Sequence, residues 1–438
     1  MSQLYRLLFV NRVYPPQSGA TGQLLADLAE SLPAGGWHAR VLASRTVPDL
    51  SVQERRNAVV ISRASSLSLS RSSLFKRMLS YLSLYPAFLL CALRAPRSEI
   101  LVTLTDPPLL LLLGPLLKWT KRCRLIHWAQ DLYPEVAEEL GVLSPNSLPA
   151  RTLRWASTWA LRRHNLIVAV GSCMKERLLA RGIPSEQIVV IPNWNLSSAE
   201  VPAAGTSDES SSEDSGFRKE RGWNDRFVVM YSGNFGLAHP FEAIVDAAKK
   251  LDSTGSRALF VFVGEGAGLA GVKEALRGAS NVQWLPYQPI EKLGASLRAA
   301  DVHLASMHER TLGLVVPSKV YGIIAAERPC VFLGPAQSEV ARLISENGCG
   351  VVLPSGDAPG LARVIQQLAD DPVRVSEMRR AAAALGPRVS RDAAVAAWQA
   401  VLEQVVGEPR MKPTPAPNAS HEGAKVTKLS GGDRDAEM

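Results

Sequence analysis

Lys319 sits in a small polar knot, Pro317-Ser318-Lys319, between the apolar runs of the stretch Leu314 to Gly334, LVVPSKVYGIIAAERPCVFLG. Proline fits a first helical turn without losing a hydrogen bond, so the spacing predicts a helix opening at Ser318 and Lys319. A hydroxyl, free amides and an ammonium held between apolar walls suit a buried phosphate or carboxylate. A first-turn lysine also commonly extends to solvent, and that alternative stays open. Asp131 is the second chemical position, in RLIHWAQDLYPEVAEEL. A strand over Arg124 to Ala129 delivers Gln130 and Asp131 to its carboxyl end, with Glu135 one turn on. Either acid can serve as a base or hold substrate hydroxyls. As a helix N-cap, Asp131 would need no chemistry at all.

Two glycine turns follow strands. Gly19-Ala20-Thr21-Gly22 opens a helix after the strand that ends near Val10, and Gly233-Asn234 with Gly236 precedes a helix near Pro240. Small residues there let main-chain amides approach an anion. Taken singly, each is equally a plain turn. The first turn lacks the three-glycine dinucleotide fingerprint, and no acid follows the second strand, which ends at Ser44-Arg45.

These positions need a scaffold, and the pattern supplies it twice. LYRLLFVN, HARVLAS, EILVTLT, CRLIHWAQ, NLIVAVG and QIVVIPN alternate with helical segments in the first half. RFVVMYSG, ALFVFVGEG, NVQWLPY, VHLASM, PCVFLG and CGVVLP do so in the second. Apolar strands separated by helices predict parallel sheets covered on both faces. The fold class expected is therefore α/β, with two Rossmann-like doubly wound domains over 1–197 and 225–390. Between them, 198–224 is rich in Ser, Asp and Glu and reads as a linker or mobile loop. A helix over 391–406 follows the second domain, and a Pro-, Ser- and charge-rich tail over 407–438 is expected to be disordered. Ligands of such sheets bind beyond the carboxyl ends of the strands.

At 438 residues, with 46% apolar and 21% charged residues, the composition excludes collagenous and wholly disordered chains. The net charge of +8 suggests an anionic partner. Basic residues are not interleaved with aromatics, which argues against nucleic acid. The five cysteines are widely spaced without metal-ligand pairing and read as reduced core thiols. The amino terminus lacks the features of a secretory signal, so a cytoplasmic protein is expected. Met78 to Ala95 and Pro107 to Trp119 are very apolar and flanked by Arg and Lys. They are either buried core elements or segments lying on anionic headgroups at the inner membrane surface.

In order along the chain, the Gly19 loop, QDLYPE, VGSCMKERLLARGIPSEQIVVIPNWN, MYSGNFG, FVGEG, WLPYQP and VPSKVYG resemble glycosyltransferase family 4, over about residues 4 to 405. The bacterial surface-polysaccharide and O-antigen members are the most similar. That resemblance implies the GT-B fold with an inter-domain cleft and a final helix that crosses back to the first domain. It implies a retaining, metal-independent transferase with no cofactor, the nucleotide-sugar being a substrate. The donor, taken to be a UDP-sugar, would meet Gly233, Asn234, His239, Glu265, Pro286, Tyr287, Ser318 and Lys319. A polyprenyl-diphosphate-linked or glycan acceptor would meet Gly19, Thr21, Gly22 and Glu135, and Asp131 takes the position of the family's catalytic histidine. Asn234 and His239 stand where many members carry arginine and lysine, with His239 expected to donate a hydrogen bond instead. Leu314 and Gly322 replace two family glutamates, and Glu327 replaces a glycine. A UDP-sugar epimerase of this fold, or a degenerate membrane-associated partner of a polysaccharide assembly complex, are the alternatives.

Overall fold

The computed structural model describes residues 5–17, 19–45, 49–65, 74–195, 216–236 and 239–407, side chains within helix 74–94 being described from Leu79 on. The first half contains β1 (Tyr5–Val10), α1 (Ala20–Ser31), β2 (Trp37–Arg45), β3 (Gln53–Arg56), β4 (Val59–Ser65), α2 (Leu74–Arg94), β5 (Ile100–Thr103) and α3 (Leu113–Lys121). It continues with β6 (Arg124–Ala129), α4 (Glu135–Glu139), α5 (Leu148–Leu161), β7 (Leu166–Ala169), α6 (Ser172–Ala180) and β8 (Ile188–Val190). The second half runs β9 (Phe227–Ser232), α7 (Glu242–Ser253), β10 (Ala258–Val263), α8 (Leu269–Ala275), β11 (Val282–Leu285), α9 (Ile290–Arg298) and β12 (Val302–Ser306). Then come α10 (Lys319–Ala325), β13 (Cys330–Leu333), α11 (Glu339–Asn347), β14 (Gly350–Leu353), α12 (Ala358–Asp370), α13 (Pro372–Leu385) and α14 (Arg391–Gly407).

Two sheets result, ordered β3-β4-β2-β1-β5-β6-β7-β8 and β11-β10-β9-β12-β13-β14. Every pairing is parallel except β3 with β4. Strands such as β9 (FVVMYS) and β10 (ALFVFV) are buried almost throughout, because helices cover both faces of the sheet. This is the α/β class expected from the alternation of apolar runs.

The antiparallel hairpin β3–β4 has no counterpart among the expected strands. Its turn places Asn57 (φ 45°) and Ala58 (φ 67°) in the left-handed region, as a primed two-residue turn requires. Asparagine tolerates that region and alanine does not announce it, so the sequence signal is weak. β3 itself reads QERR and is mostly exposed, a charged edge that discourages pairing with another chain.

The expected linker over 198–224 is corrected at its end. Residues 196–215 lie outside the described residues, but 216–220 are helical, and Phe217 and Trp223 are buried against Val228, Met230 and Leu259. Two large aromatic side chains bury enough apolar surface to fold this end of the stretch onto the second sheet. The tail from 408 also lies outside the described residues.

α14 follows the second sheet yet packs into the core of the first. Trp398 is fully buried and meets Trp128 edge-on at 4.8 Å, while Trp194 stacks on Trp128 at 5.7 Å. All five cysteines are free thiols, with Cys91 half-buried and the others buried.

Candidate functional site at the carboxyl edges of the two sheets

β9 and β10 end side by side, and their loops interlock. Phe235 N–H donates to Glu265 O at 2.8 Å and Gly268 N–H donates to Phe235 O at 2.9 Å. A Cβ on Gly264 (φ 129°) would overlap the Gly233 carbonyl oxygen, so this crossing demands glycine. Gly233 (φ 137°) holds the facing position, where an added Cβ would stand 3.6 Å from Lys319 Nζ. Gly233, which sequence analysis assigned to an anion, thus takes a positive φ that favours glycine, while Gly264, not singled out there, is required by the chain crossing.

Lys319 does not run to solvent. Its Nζ is buried without a hydrogen-bond partner among the described residues and lies 3.6 Å from the centroid of the Tyr231 ring. Burial pushes the ammonium down to about 7, a nearby Cys330 working weakly the other way. Tyr231 is itself buried and donates its hydroxyl to Asn234 O at 3.0 Å, which fixes the ring beneath the amine. A lone amine over an aromatic face has no counter-ion, so an entering anion would supply the missing partner. The helix it opens, α10, has seven residues, and Ser318 makes no side-chain cap, so the lysine outweighs the helix end as an anion-binding element.

His239 requires a correction. Its Nδ1 lies 2.7 Å from the Ser306 carbonyl oxygen, which can only accept, so Nδ1 carries the proton. Burial, then the Lys319 charge, lowers this imidazole to about 4, leaving it neutral near pH 7. Nε2 is then an acceptor in the ligand-free protein, not the donor that was expected of His239. Asn234, Glu265, Pro286 and Tyr287 line the exposed rim, with the Tyr287 ring against Gly264 and the Pro286 carbonyl taken by Gln288 Nε2 at 2.8 Å.

At the first sheet, Asp131 follows β6 and forms an isolated antiparallel bridge with Val315, and Leu132 N–H donates to Leu314 O at 2.9 Å. Asp131 therefore stands beside the segment that leads to Lys319. It does not cap α4, whose N-cap is Pro134. Burial, then the neighbouring Asp106 charge, raises its carboxyl to about 6. Glu135 does not stand free as an acceptor contact, because its carboxylate forms an ion pair with Arg181. Gly19 and Gly22 pack the start of α1 on Val13, where a Cβ on Gly22 would come within 2.9 Å of the Val13 carbonyl oxygen. Thr21, between them, is half-buried.

The structure adds residues that the sequence did not single out. Arg12 and Asp106, at the carboxyl ends of β1 and β5, form a two-pronged pair at 2.6 and 2.8 Å. They are 94 positions apart, so no local spacing could flag them. Tyr231, two residues before Gly233, read only as strand. A surface groove bordered by Lys250 and Arg363 holds none of these side chains.

The family described as Glycosyl transferase 4-like domain matches residues 19–194, and that described as Glycosyl transferases group 1 matches 226–371. The probable glycosyltransferase WbjE of Pseudomonas aeruginosa is 28% identical over 279 residues, 63% of this chain and 68% of that protein. The putative colanic acid biosynthesis glycosyl transferase WcaI of Escherichia coli K12 is 26% identical over 192 residues, 41% of this chain and 44% of that one. Among solved structures, Anabaena HepE in complex with UDP superposes with a TM-score of 0.67 at 15% identity, covering 91% of this chain and 100% of that one. WaaG, a glycosyltransferase involved in lipopolysaccharide biosynthesis, gives 0.62 at 16% identity, over 89% and 98%. These likenesses establish the two-sheet GT-B fold.

Proposed function

The chain belongs to the glycosyltransferases that join a 4-like domain to a group 1 domain, and from that premise we propose that it moves a sugar from a UDP-sugar to a lipid-linked or glycan acceptor in bacterial surface-polysaccharide biosynthesis. The observation that carries the donor half is the buried amine of Lys319, unpartnered above Tyr231 at the edge where β9 and β10 end. Family membership supports a transferase, and the UDP held by the structural relative HepE supports the choice of base.

In this scheme the bond between the anomeric carbon and the β-phosphate oxygen breaks, and the charge developing on the departing diphosphate falls beside Lys319. The ammonium needs no counter-ion other than that leaving group. The acceptor hydroxyl oxygen bonds to the anomeric carbon on the face just vacated, which retains configuration, and its proton passes to the diphosphate. Asp131 orients sugar hydroxyls in its carboxylate form. We assign the diphosphate to Lys319 without a metal, place the reaction in the cytoplasm at the inner membrane surface, and identify the acceptor class as polyprenyl-diphosphate-linked.

Isothermal titration with UDP tests the donor site. Wild type should bind, and Lys319→Ala should weaken binding roughly 10- to 100-fold, the effect of losing one charge-assisted hydrogen bond. No UDP binding, or an unweakened variant, removes the proposal. A degenerate partner protein is the second possibility, motivated by Leu314 and Gly322 at the positions of the two family glutamates. Donor turnover in membranes from cells expressing the chain rules it out.

A further inference from the structure

Tyr231 lies on the face of β9 shared with Phe227 and Val229, since side chains two residues apart along a strand point the same way. Its neighbours there are aromatic. Phe241 meets its ring edge-on at 4.9 Å, Phe235 lies tilted at 5.0 Å, and these two phenylalanines stack on each other at 5.0 Å. The hydroxyl donates to Asn234 O at 3.0 Å, on the far side of Gly233 in the chain. Packing by two phenylalanines and a tether at the tip fix the plane of the ring.

Lys319 reaches the same place from α10. Its Nζ stands 3.6 Å from the ring centroid, and a Cβ on Gly233 would lie 3.6 Å from Nζ and 3.7 Å from Cε. An amine this close to the centroid is over the ring face, since at the edge it would overlap the ring hydrogens. The amine thus adjoins both the tyrosine face and the turn that the tyrosine hydroxyl holds.

Nothing ionic competes with that contact. Among the described residues, the titratable groups coupled to the amine are Cys330 of β13 and His239 ahead of α7, with Tyr231 itself beneath it. Burial raises the Cys330 thiol and the Tyr231 hydroxyl, and His239 is held neutral at about 4. All three are uncharged near pH 7, so the negative face of the ring is what answers the ammonium before a ligand arrives. A lysine side chain has many rotamers, and without that face neither a charge nor a hydrogen bond among the described residues would hold its amine at the turn.

We propose that Tyr231 is a positioning residue of the donor site: its ring face stands in for a counter-ion beneath Lys319 until an anion arrives, and its hydroxyl ties that platform to the Asn234 turn. This role rests on Lys319 meeting the donor diphosphate, as proposed above. Tyr231 touches no substrate in this scheme and acts through the lysine. An aliphatic side chain at 231 would keep the core apolar and remove the contact that favours the ammonium.

A double-mutant cycle on the full chain, read by isothermal titration with UDP, tests the role. Tyr231→Leu should weaken UDP about fivefold or more, and Tyr231→Phe, which keeps the ring, should recover most of that loss. In the Lys319→Ala background, Tyr231→Leu should change UDP affinity less than about twofold, because the residue acts through the amine. Equal losses in both backgrounds, or a Tyr231→Leu chain that binds like wild type, overturn the proposal. Tyr231→trifluorophenylalanine repeats the test with the ring shape kept: fluorine drains the negative face, so UDP should again weaken, and affinity equal to that of Tyr231→Phe also overturns the proposal. A ligand-free measurement separates this role from the donor site. In denaturant titrations Tyr231→Leu should cost more stability beside Lys319 than in the Lys319→Met background at about pH 6, where the wild-type amine is charged, and the excess should be gone by about pH 9. That excess without UDP binding to any chain removes the donor site and leaves the tyrosine–lysine contact standing. UDP binding that needs Lys319, without the excess, removes the role of Tyr231 alone.

Discussion

The carboxyl edges of the two sheets treat charge in opposite ways. At the first sheet, the arginine is answered from within: Arg12 by both oxygens of Asp106. Nearby, Glu135 pairs with Arg181, and the buried amides of Gln130 and Asn193 exchange hydrogen bonds at 2.8 and 2.9 Å. At the second, the Lys319 amine is buried with an aromatic face beneath it and no hydrogen-bond partner among the described residues. Paired groups preorganise a surface at little cost. An orphaned cation costs stability in the free protein and becomes favourable only when an anion arrives. The second edge therefore leaves a cation for an anionic ligand, as the proposed donor site requires, while at the first edge Arg12 is already answered by Asp106.

The sharpest way to break that contrast is to delete each cation in turn. Arg12→Ala strands the half-buried Asp106 carboxylate and should cost about 2–3 kcal/mol in a denaturant titration at pH 7. Lys319→Met should move stability the other way, by about 2 kcal/mol near pH 6, because it removes a buried charge. The sign follows from the lowered amine: the folded state releases its proton at about 7 and the unfolded chain only near about 10.5. The cost is thus fully present below pH 7 and fades as pH rises toward 10.5, so the gain should vanish there. If both substitutions destabilise alike, the two edges do not differ as described.

A pH–rate profile sharpens the comparison further. Asp131 must be ionised and Lys319 protonated in the free protein, with pKa values raised to about 6 and lowered to about 7 respectively. kcat/KM should rise through about 6 and fall above about 7, a narrow bell. Asp131→Asn should flatten the acidic limb and leave the alkaline limb in place. A profile that is flat from pH 5 to 8 would count against both assignments.

The smallest effect is expected at Glu327, which takes φ 55° after α10. Arg328 steadies this turn by donating its Nε to the Arg298 and Ala300 carbonyls, both at 2.9 Å. Glu327→Gly should add about 0.5–1 kcal/mol in thermal unfolding by relieving the left-handed strain. No gain, or a loss, would show that the Glu327 side chain contributes more than its backbone costs.

Much of the fold was legible because parallel strands buried on both faces must be apolar throughout, as ALFVFV and FVVMYS are. The order of the glycine turns and the Pro317-Ser318-Lys319 knot was equally plain. Tyr231 was not, since a strand tyrosine looks the same whether it packs in a core or carries an amine. Nor was the state of His239: its role depends on the Ser306 carbonyl, 67 positions away. The charged hairpin edge and the packing of Phe217 and Trp223 were obscured by polar local composition.

The sequence by itself determined the periodicities, and through them the alternating elements, the parallel sheets and the positions of the loops that follow their strands. Those are local consequences of side-chain spacing and backbone sterics. Only the tertiary structure decided which charges meet: that Asp106 answers Arg12, that Arg181 takes Glu135, and that no acid among the described residues answers Lys319. Such pairings join residues far apart in the chain, and their energies depend on distance and burial, quantities that come into being only when the sheets are packed.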